Sequence, residues 1–151
     1  MGFLRLLLVT LSMCVSVFAA ASPLTGTWKF NPAKGHPASP PPKSIVAHVE
    51  ADQENFKFVQ EGIDDNGQPF KESYEAKFDG KDYPVSGDPY SDSVSLHRIN
   101  ERKVEFTLKK DGKVVAKFVD TVSKNGKSTM ITFIALSTGQ PQHDTVVYDK
   151  E

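Results

Sequence analysis

Three charged side chains share a strand face with apolar residues, and they are the residues of this chain best placed for chemistry. They are Glu72, Arg98 and Asp120, and each falls in phase with the apolar positions of an alternating segment. Because side chains of a strand alternate between its two faces, these three point with their apolar neighbours towards an interior. An isolated charge there is costly, so we expect these groups to pair with one another or to reach water.

Arg98 has two interpretations. In the functional one its guanidinium, flanked by carboxylates, fixes the polar head of a ligand whose apolar body lies against aromatic rings. In the structural one Arg98 closes one end of the fold, stacked on Trp28, while Glu72 and Asp120 lie near strand ends in solvent. On the functional interpretation, the predicted ligand-binding residues are Phe56, Phe58, Phe70, Glu72, Tyr74, Arg98, Phe106, Phe118 and Asp120.

Other chemistry finds little support in the residues. No Ser sits in a Gly-x-Ser-x-Gly elbow, and the four histidines occur singly, without metal-ligand spacing. The carboxylates of Asp79–Asp92 are of the type that binds calcium but match no known calcium loop, and we interpret them as a solvated turn region. The sequence therefore predicts a protein that is not an enzyme and carries neither a metal nor another cofactor.

The elements that must position these residues are short apolar-alternating runs, each closed by a turn signal such as Asp111-Gly112 or Asn125-Gly126. The runs are Val46–Val49, Phe56–Val59, Phe70–Phe78, Val94–Ile99, Val104–Leu108, Val114–Val122, Met130–Leu136 and Val146–Tyr148. A meander of this length must hide two edge strands, and closure is the simplest way to do so. We predict an all-β fold, a single antiparallel up-and-down meander that closes into a barrel of eight to ten strands.

The alternation assigns an inner face to most runs but not to all. Val114 is predicted to point inward with Phe118, whereas the faces of Met130–Leu136 are undecided because both phases are apolar. Residues 32–42 are half Pro or Gly, and we expect an extended arm outside the sheet that serves as a connector, a lid or a docking segment for a protein partner.

The N-terminus has the parts of a secretory signal: Arg5, then the apolar run Leu6–Phe18, then Ala19-Ala20-Ala21. We predict a signal peptide at residues 1–21, a single domain at residues 22–151 and a secreted or periplasmic location, with no membrane span. The only cysteine, Cys14, leaves with the signal, so the domain cannot form an internal disulfide. The net charge is −1 without a basic stripe, which argues against nucleic acid as a partner.

The segment Gly26-Thr27-Trp28 resembles the Gly-x-Trp signature of the first lipocalin strand. The longer string Gly26–Lys34, together with Asp79–Val85, is similar to a group of small secreted bacterial lipocalin-like proteins of unsettled function. The resemblance implies an up-and-down barrel with an apolar cup and a long first loop across its mouth. Lipocalins also carry an Arg on a late strand over the Trp, and no Arg follows Arg102 here.

Together these observations predict a binding protein for a small apolar or amphiphilic molecule held in the barrel interior. The alternative is a filled barrel without a cavity, a non-catalytic envelope or extracellular interaction module that uses the Pro-rich arm for docking. The presence or absence of free volume inside the barrel distinguishes these two hypotheses, since large inward-pointing aromatic side chains can fill a small barrel completely.

Overall fold

The computed structural model of the protein describes residues 21–36, 40–136 and 144–151. Nearly all of the proposed signal peptide lies outside these residues. The described chain forms ten strands and no helix. They are β1 (Gly26–His36), β2 (Ser44–Ala51), β3 (Asn55–Ile63), β4 (Pro69–Lys77), β5 (Tyr83–Pro84), β6 (Ser93–Asn100), β7 (Lys103–Lys110), β8 (Lys113–Val122), β9 (Ser128–Leu136) and β10 (Thr145–Lys150).

All ten strands belong to one antiparallel sheet in the order β4-β3-β2-β1-β10-β9-β8-β7-β6-β5. Chain neighbours pair throughout, apart from β4 with β5, and β1 also pairs with β10, so the first and last strands lie side by side in the middle of the sheet. The predicted all-β, up-and-down meander is confirmed.

The sheet is nearly closed into a barrel, and the segment between β4 and β6 spans the seam. Ser73 of β4 and Ser86 exchange two backbone hydrogen bonds of 2.9 Å, and the amide of Gly80 donates to the carbonyl of Leu96 at 3.0 Å. The stretch Asp79–Asp92, too long for a simple hairpin turn, therefore joins the two edges of the sheet. Closure of this kind protects the edge strands from pairing with other chains.

The turns have the backbone geometry that their sequences demand. Asp111 and Gly112, between β7 and β8, both adopt positive φ, 50° and 74°. Two successive positive φ values define the hairpin turn whose twist matches that of paired strands. This explains why Asp-Gly is an accurate hairpin signal at this position.

The inner faces form one apolar core in which Val94, Leu96 and Val104 are fully buried. The structure decides the face of β9: Met130 and Ile134 are about half exposed, while Ile131 and Phe133 face inward. Val114 is 46% exposed, so its predicted inward position is wrong. A register shift between Leu108 and Lys109 of β7, opposite Val114, accounts for the difference, since a bulge changes which residues share a face.

The Pro-rich segment departs from the prediction in its first half. Residues 32–36 belong to β1, and Gly35 and His36 pair with Val146 and Thr145 of β10. Pro32 fits because it lies in a bulge between Phe30 and Gly35, where the ladder does not need its missing amide proton. Residues 37–39 of the proposed arm lie outside the described residues, and Pro40–Pro42 leads into β2.

No helix among the described residues has the length and apolar character needed to cross a membrane.

Candidate ligand cavity

A cavity of about 190 Å³ lies inside the barrel. Its lining side chains come from seven strands and from the segment between β4 and β6. They are Val49, Phe56, Phe58, Gln60, Glu72, Tyr74, Asp88, Phe106, Leu108, Phe118, Asp120, Ile131, Phe133, Val146 and Tyr148. A dry apolar cavity of roughly 150 Å³ admits benzene, so this one has room for a single ring with a small substituent.

Aromatic rings form a continuous belt around the cavity wall. Phe58 stacks on Tyr74 with 4.8 Å between ring centroids, and Phe106 stacks on Phe118 at the same distance. Phe56 joins the two stacks, because it meets Phe106 edge to face at 5.6 Å. Such contacts hold each ring in place, so a guest would meet a wall made largely of fixed aromatic rings.

Glu72 is a carboxyl group with little access to water. It lies on β4 opposite Gln60 of β3, whose side-chain amide donates to it at 2.7 Å. Burial raises the pKa of Glu72 to about 7, against the effect of the Gln60 hydrogen bond, and the nearby charge of Asp88 acts in the same direction as burial. Near neutral pH this group therefore exists in both protonation states.

Asp120 is the second cavity carboxyl, placed on β8 opposite Ile131 of β9. Its side chain accepts a short hydrogen bond from the hydroxyl of Thr129, which is itself buried. Burial raises the pKa of Asp120 to about 6, although the hydrogen bonds from Thr129 and from the amide of Thr121 oppose that shift. The two carboxyls are thus supported by neutral donors and not by basic residues.

Two phenol groups complete the polar part of the wall. Tyr74 and Tyr148 are only 8% and 7% exposed, and both line the cavity. No hydrogen bond joins either hydroxyl to another described residue. Burial raises the pKa of both phenols, and the charges of Glu72 and Asp120 raise it further. The hydroxyls therefore face the same interior space as the carboxyls, and their hydrogen-bonding capacity there is unused.

The structure brings seven of the nine predicted site residues together around this cavity and places the other two elsewhere. The seven are Phe56, Phe58, Glu72, Tyr74, Phe106, Phe118 and Asp120. Phe70 is partly buried further along β4, opposite Gly62, and it lines a separate groove with Ser44 and Lys71. Arg98 does not line the cavity and instead lines a separate pocket with Ala51 and Asp52.

Arg98 packs against the end of the barrel where Phe78 lies. Its guanidinium sits 3.9 Å above the ring of Phe78, and Nη2 donates to the carbonyl of Asp52. The expectation that Arg98 pairs with Glu72 or Asp120 is not met. The alternative expectation of stacking on Trp28 is not met either, because a different aromatic ring takes that place.

Trp28 instead lies beneath Lys150, whose ammonium group is 5.0 Å from the indole. The indole is 3% exposed, and its N–H donates to the carbonyl of Leu24 at 3.0 Å. Lys150 also donates to the carbonyl of Thr25 at 2.7 Å. A cation from the last strand thus covers the Trp of the first strand, as β1 and β10 are paired at this point.

Sequence reasoning missed several cavity residues. Gln60 shares a phase with Phe56 and Phe58, so the alternation rule points to it directly. Ile131 and Phe133 line the cavity, but the sequence does not assign them to the inner face because both phases of β9 are apolar. No local signal identifies Asp88, because it lies in an irregular segment whose path depends on the closure of the barrel.

The carboxylates of Asp79–Asp92 are engaged in local hydrogen bonds. Asp79 accepts from the Tyr83 hydroxyl at 2.9 Å, and Asp82 pairs with Lys109 at 2.8 Å. Asp88 accepts from the amide of Tyr90 at 2.8 Å and from the hydroxyl of Ser91. Within the described part of the chain, no group of three or more His, Cys, Asp or Glu side chains is arranged to hold a metal ion.

Comparisons with known proteins give no relative: no protein-family model, no curated protein and no solved structure matches this chain.

Proposed function

We propose that this protein is a non-catalytic binding protein, secreted or periplasmic, that holds a small apolar or amphiphilic molecule inside its barrel. The observation that carries the proposal is the cavity of about 190 Å³, walled by stacked aromatic rings. A concave apolar site with a few convergent polar groups is the usual form of a small-molecule site. Each large apolar contact would contribute on the order of 1–3 kcal/mol before ordering costs.

The lipocalin-like resemblance supports the same proposal. Gly26-Thr27-Trp28 opens the first strand of an up-and-down barrel, and Lys150 covers Trp28 where lipocalins carry an Arg. On this proposal the protein belongs with the small secreted bacterial lipocalin-like proteins. The barrel interior would then be its cup.

The proposed contact set differs from the one that the sequence suggested. Phe56, Phe58, Phe106 and Phe118 would enclose the apolar body of the ligand, since all four line the cavity. Arg98 is left out, because its guanidinium is held against Phe78 and does not line the cavity.

The test is saturable binding of an uncharged aromatic probe, tert-butylbenzene, followed by NMR shifts of the cavity residues. Replacement of Ile131 by Trp should fill the cavity and abolish binding. Met130→Trp is the matched control, because its side chain is 44% exposed on the outer face of the same strand. Circular dichroism verifies that both variants fold.

Loss of binding in I131W alone supports the proposal. Equal binding by I131W and M130W would place the probe outside the barrel and overturn it. If the wild-type protein shows no saturable binding, the interior is not a ligand site. A filled barrel that acts as an interaction module would then take its place.

A further inference from the structure

All the charged side chains that line the cavity are acidic. Glu72, Asp88 and Asp120 all line it, and the described residues of its wall include no Lys, Arg or His. Lys57 and Lys71, on two of the contributing strands, are exposed on the outer face of the sheet. A guest in this cavity would therefore meet carboxyl groups and no fixed positive charge.

The remaining wall also favours a cation. The faces of aromatic rings attract ammonium groups, and aromatic cages recognise quaternary ammonium ligands. Phe58, Tyr74, Phe106 and Phe118 form two stacked pairs and all line this cavity, so its wall offers aromatic π-systems to a charged head.

A further observation points to a guest independently of the carboxyls. The hydroxyls of Tyr74 and Tyr148 belong to side chains more than nine-tenths buried, and neither is hydrogen-bonded to a described residue. Both side chains line the cavity, so these two hydroxyls are available there to a polar group of a bound molecule. Both lie near Glu72 and Asp120, whose charges act on them.

We propose that the molecule held in this cavity is a small organic cation, an amine that is protonated or quaternary and carries one ring or a short apolar chain. This inference rests on the proposed function and names its ligand class. The carboxylates of Glu72 and Asp120 hold the charged head. The rings of Phe56, Phe58, Phe106 and Phe118 hold the apolar body.

The same arrangement makes binding depend on pH. The groups that face Glu72 are Gln60, Asp88, Asp120, Tyr74 and Tyr148, which include no cation to keep it ionised. Because its pKa is about 7, a cation must bind the minority ionised form at pH 6 and the majority form at pH 8. Affinity falls in proportion to the fraction of competent protein, so ionisation of Glu72 should raise it about tenfold between these two pH values. Ionisation of Asp120, whose pKa is about 6, should add about a further twofold.

The experiment compares two probes of the same shape. Phenyltrimethylammonium carries a permanent charge, and tert-butylbenzene has carbon in place of nitrogen, so neither titrates. Both are measured by NMR titration at pH 6 and pH 8 with the wild-type protein, Glu72→Gln and the control Glu75→Gln. Glu75 is exposed on the outer face of β4 and pairs with Lys57 at 3.5 Å.

At pH 8 we expect the cation to bind at least tenfold more tightly than its uncharged isostere. E72Q should remove most of that preference and its pH dependence, whereas E75Q should retain both. Binding of the cation should also lower the pKa of Glu72, read from its side-chain carbon shift, because binding and proton release are linked. That readout does not respond to a merely structural role of the residue.

Equal affinity for the two probes, both shifting cavity resonances, would overturn the cation inference and leave the proposed function standing. An unchanged Glu72 pKa on saturation with the cation would overturn it as well. Failure of both probes to bind would remove the proposed function and this inference together.

Discussion

At the scale of single residues, Glu72 illustrates how a buried carboxyl lowers stability at neutral pH. Its pKa is about 7 in the folded chain and near the ordinary value of 4.5 in the unfolded chain. Between these values the unfolded chain has released the proton and the folded chain still holds it. The free energy of unfolding therefore falls as pH rises through this window.

Replacement of Glu72 by Gln should consequently stabilise the protein at pH 8, by on the order of 1–3 kcal/mol, and change little at pH 4.5. The amide keeps an oxygen for Gln60, so the hydrogen bond of 2.7 Å has a counterpart. Urea unfolding at the two pH values measures the effect. Asp120, with a pKa of about 6, leaves a smaller pH dependence of the same sign in the variant.

Glu75→Gln is the control for this prediction, because Glu75 is exposed on the outer face of the same strand. A gain in stability at pH 8 as large in E75Q as in E72Q would show that net charge, not burial of Glu72, sets the pH dependence. The carboxylates of Asp52, Asp79, Asp92 and Asp149 do not confuse the measurement. Their pKa values are lowered by hydrogen bonds, so they titrate below this window.

The sequence predicts which faces Glu72 and Asp120 share, because strict alternation is a local property of the chain. Their partners are less predictable. Glu72 meets Gln60 through cross-strand register, and Asp120 meets Thr129 across two strands with a bulge between Lys117 and Phe118. Pairings of this kind depend on register, which alternation alone does not determine.

At the scale of elements, the segment between β4 and β6 acts as the seam of the barrel. Gly87 makes the close approach possible, since its φ is 85° and a Cβ there would lie 1.9 Å from the backbone oxygen of Lys71. Gly80, in the same segment, also has positive φ, 73°, but a Cβ there meets nothing within 4 Å. A substitution at Gly80 therefore tests backbone strain alone, whereas a substitution at Gly87 adds a steric clash.

Gly80→Ala should cost about 1–2 kcal/mol, the strain of a left-handed residue. Gly87→Ala should cost roughly 3 kcal/mol or more, because the seam must also move away from β4. Urea midpoints measure both, and hydrogen exchange at the amides of Ser73 and Ser86 locates the opening. Equal costs, with both amides still protected in G87A, would mean that this segment does not hold the barrel closed.

The first strand shows where sequence reasoning about an element fails. Prolines normally end a ladder, which is why the sequence predicts that residues 32–42 leave the sheet. The structure accommodates Pro32 in a bulge that side chains stabilise: Asn31 and Lys34 both donate to Asp149, at 2.7 and 2.8 Å. These contacts span more than 100 positions of the sequence and have no local signature.

At the scale of the whole molecule, the meander and its closure follow from the number of alternating runs and the need to hide edges. The interior volume does not follow from them. Whether stacked rings fill a barrel or leave a cavity of about 190 Å³ depends on bulges and on strand tilt. Tertiary packing likewise decides where two charged side chains lie. Arg98 packs over Phe78, and Asp88 reaches the cavity.

The N-terminal residues of the folded domain contribute to its core. Leu24 is 2% exposed, and its carbonyl accepts the hydrogen bond of Trp28, so the third residue after the proposed cleavage site belongs to the core. Secreted protein should begin at Ser22 on N-terminal sequencing and unfold identically with and without dithiothreitol, because Cys14 is the only cysteine.

A chain that starts at Thr25 should lose about 2–5 kcal/mol of its free energy of unfolding, as expected for a deleted buried Leu. A chain that starts at Pro23 retains Leu24 and is the control. Similar urea midpoints for these two chains would show that Leu24 is dispensable for stability. A secreted protein that begins at Met1 would contradict the predicted cleavage.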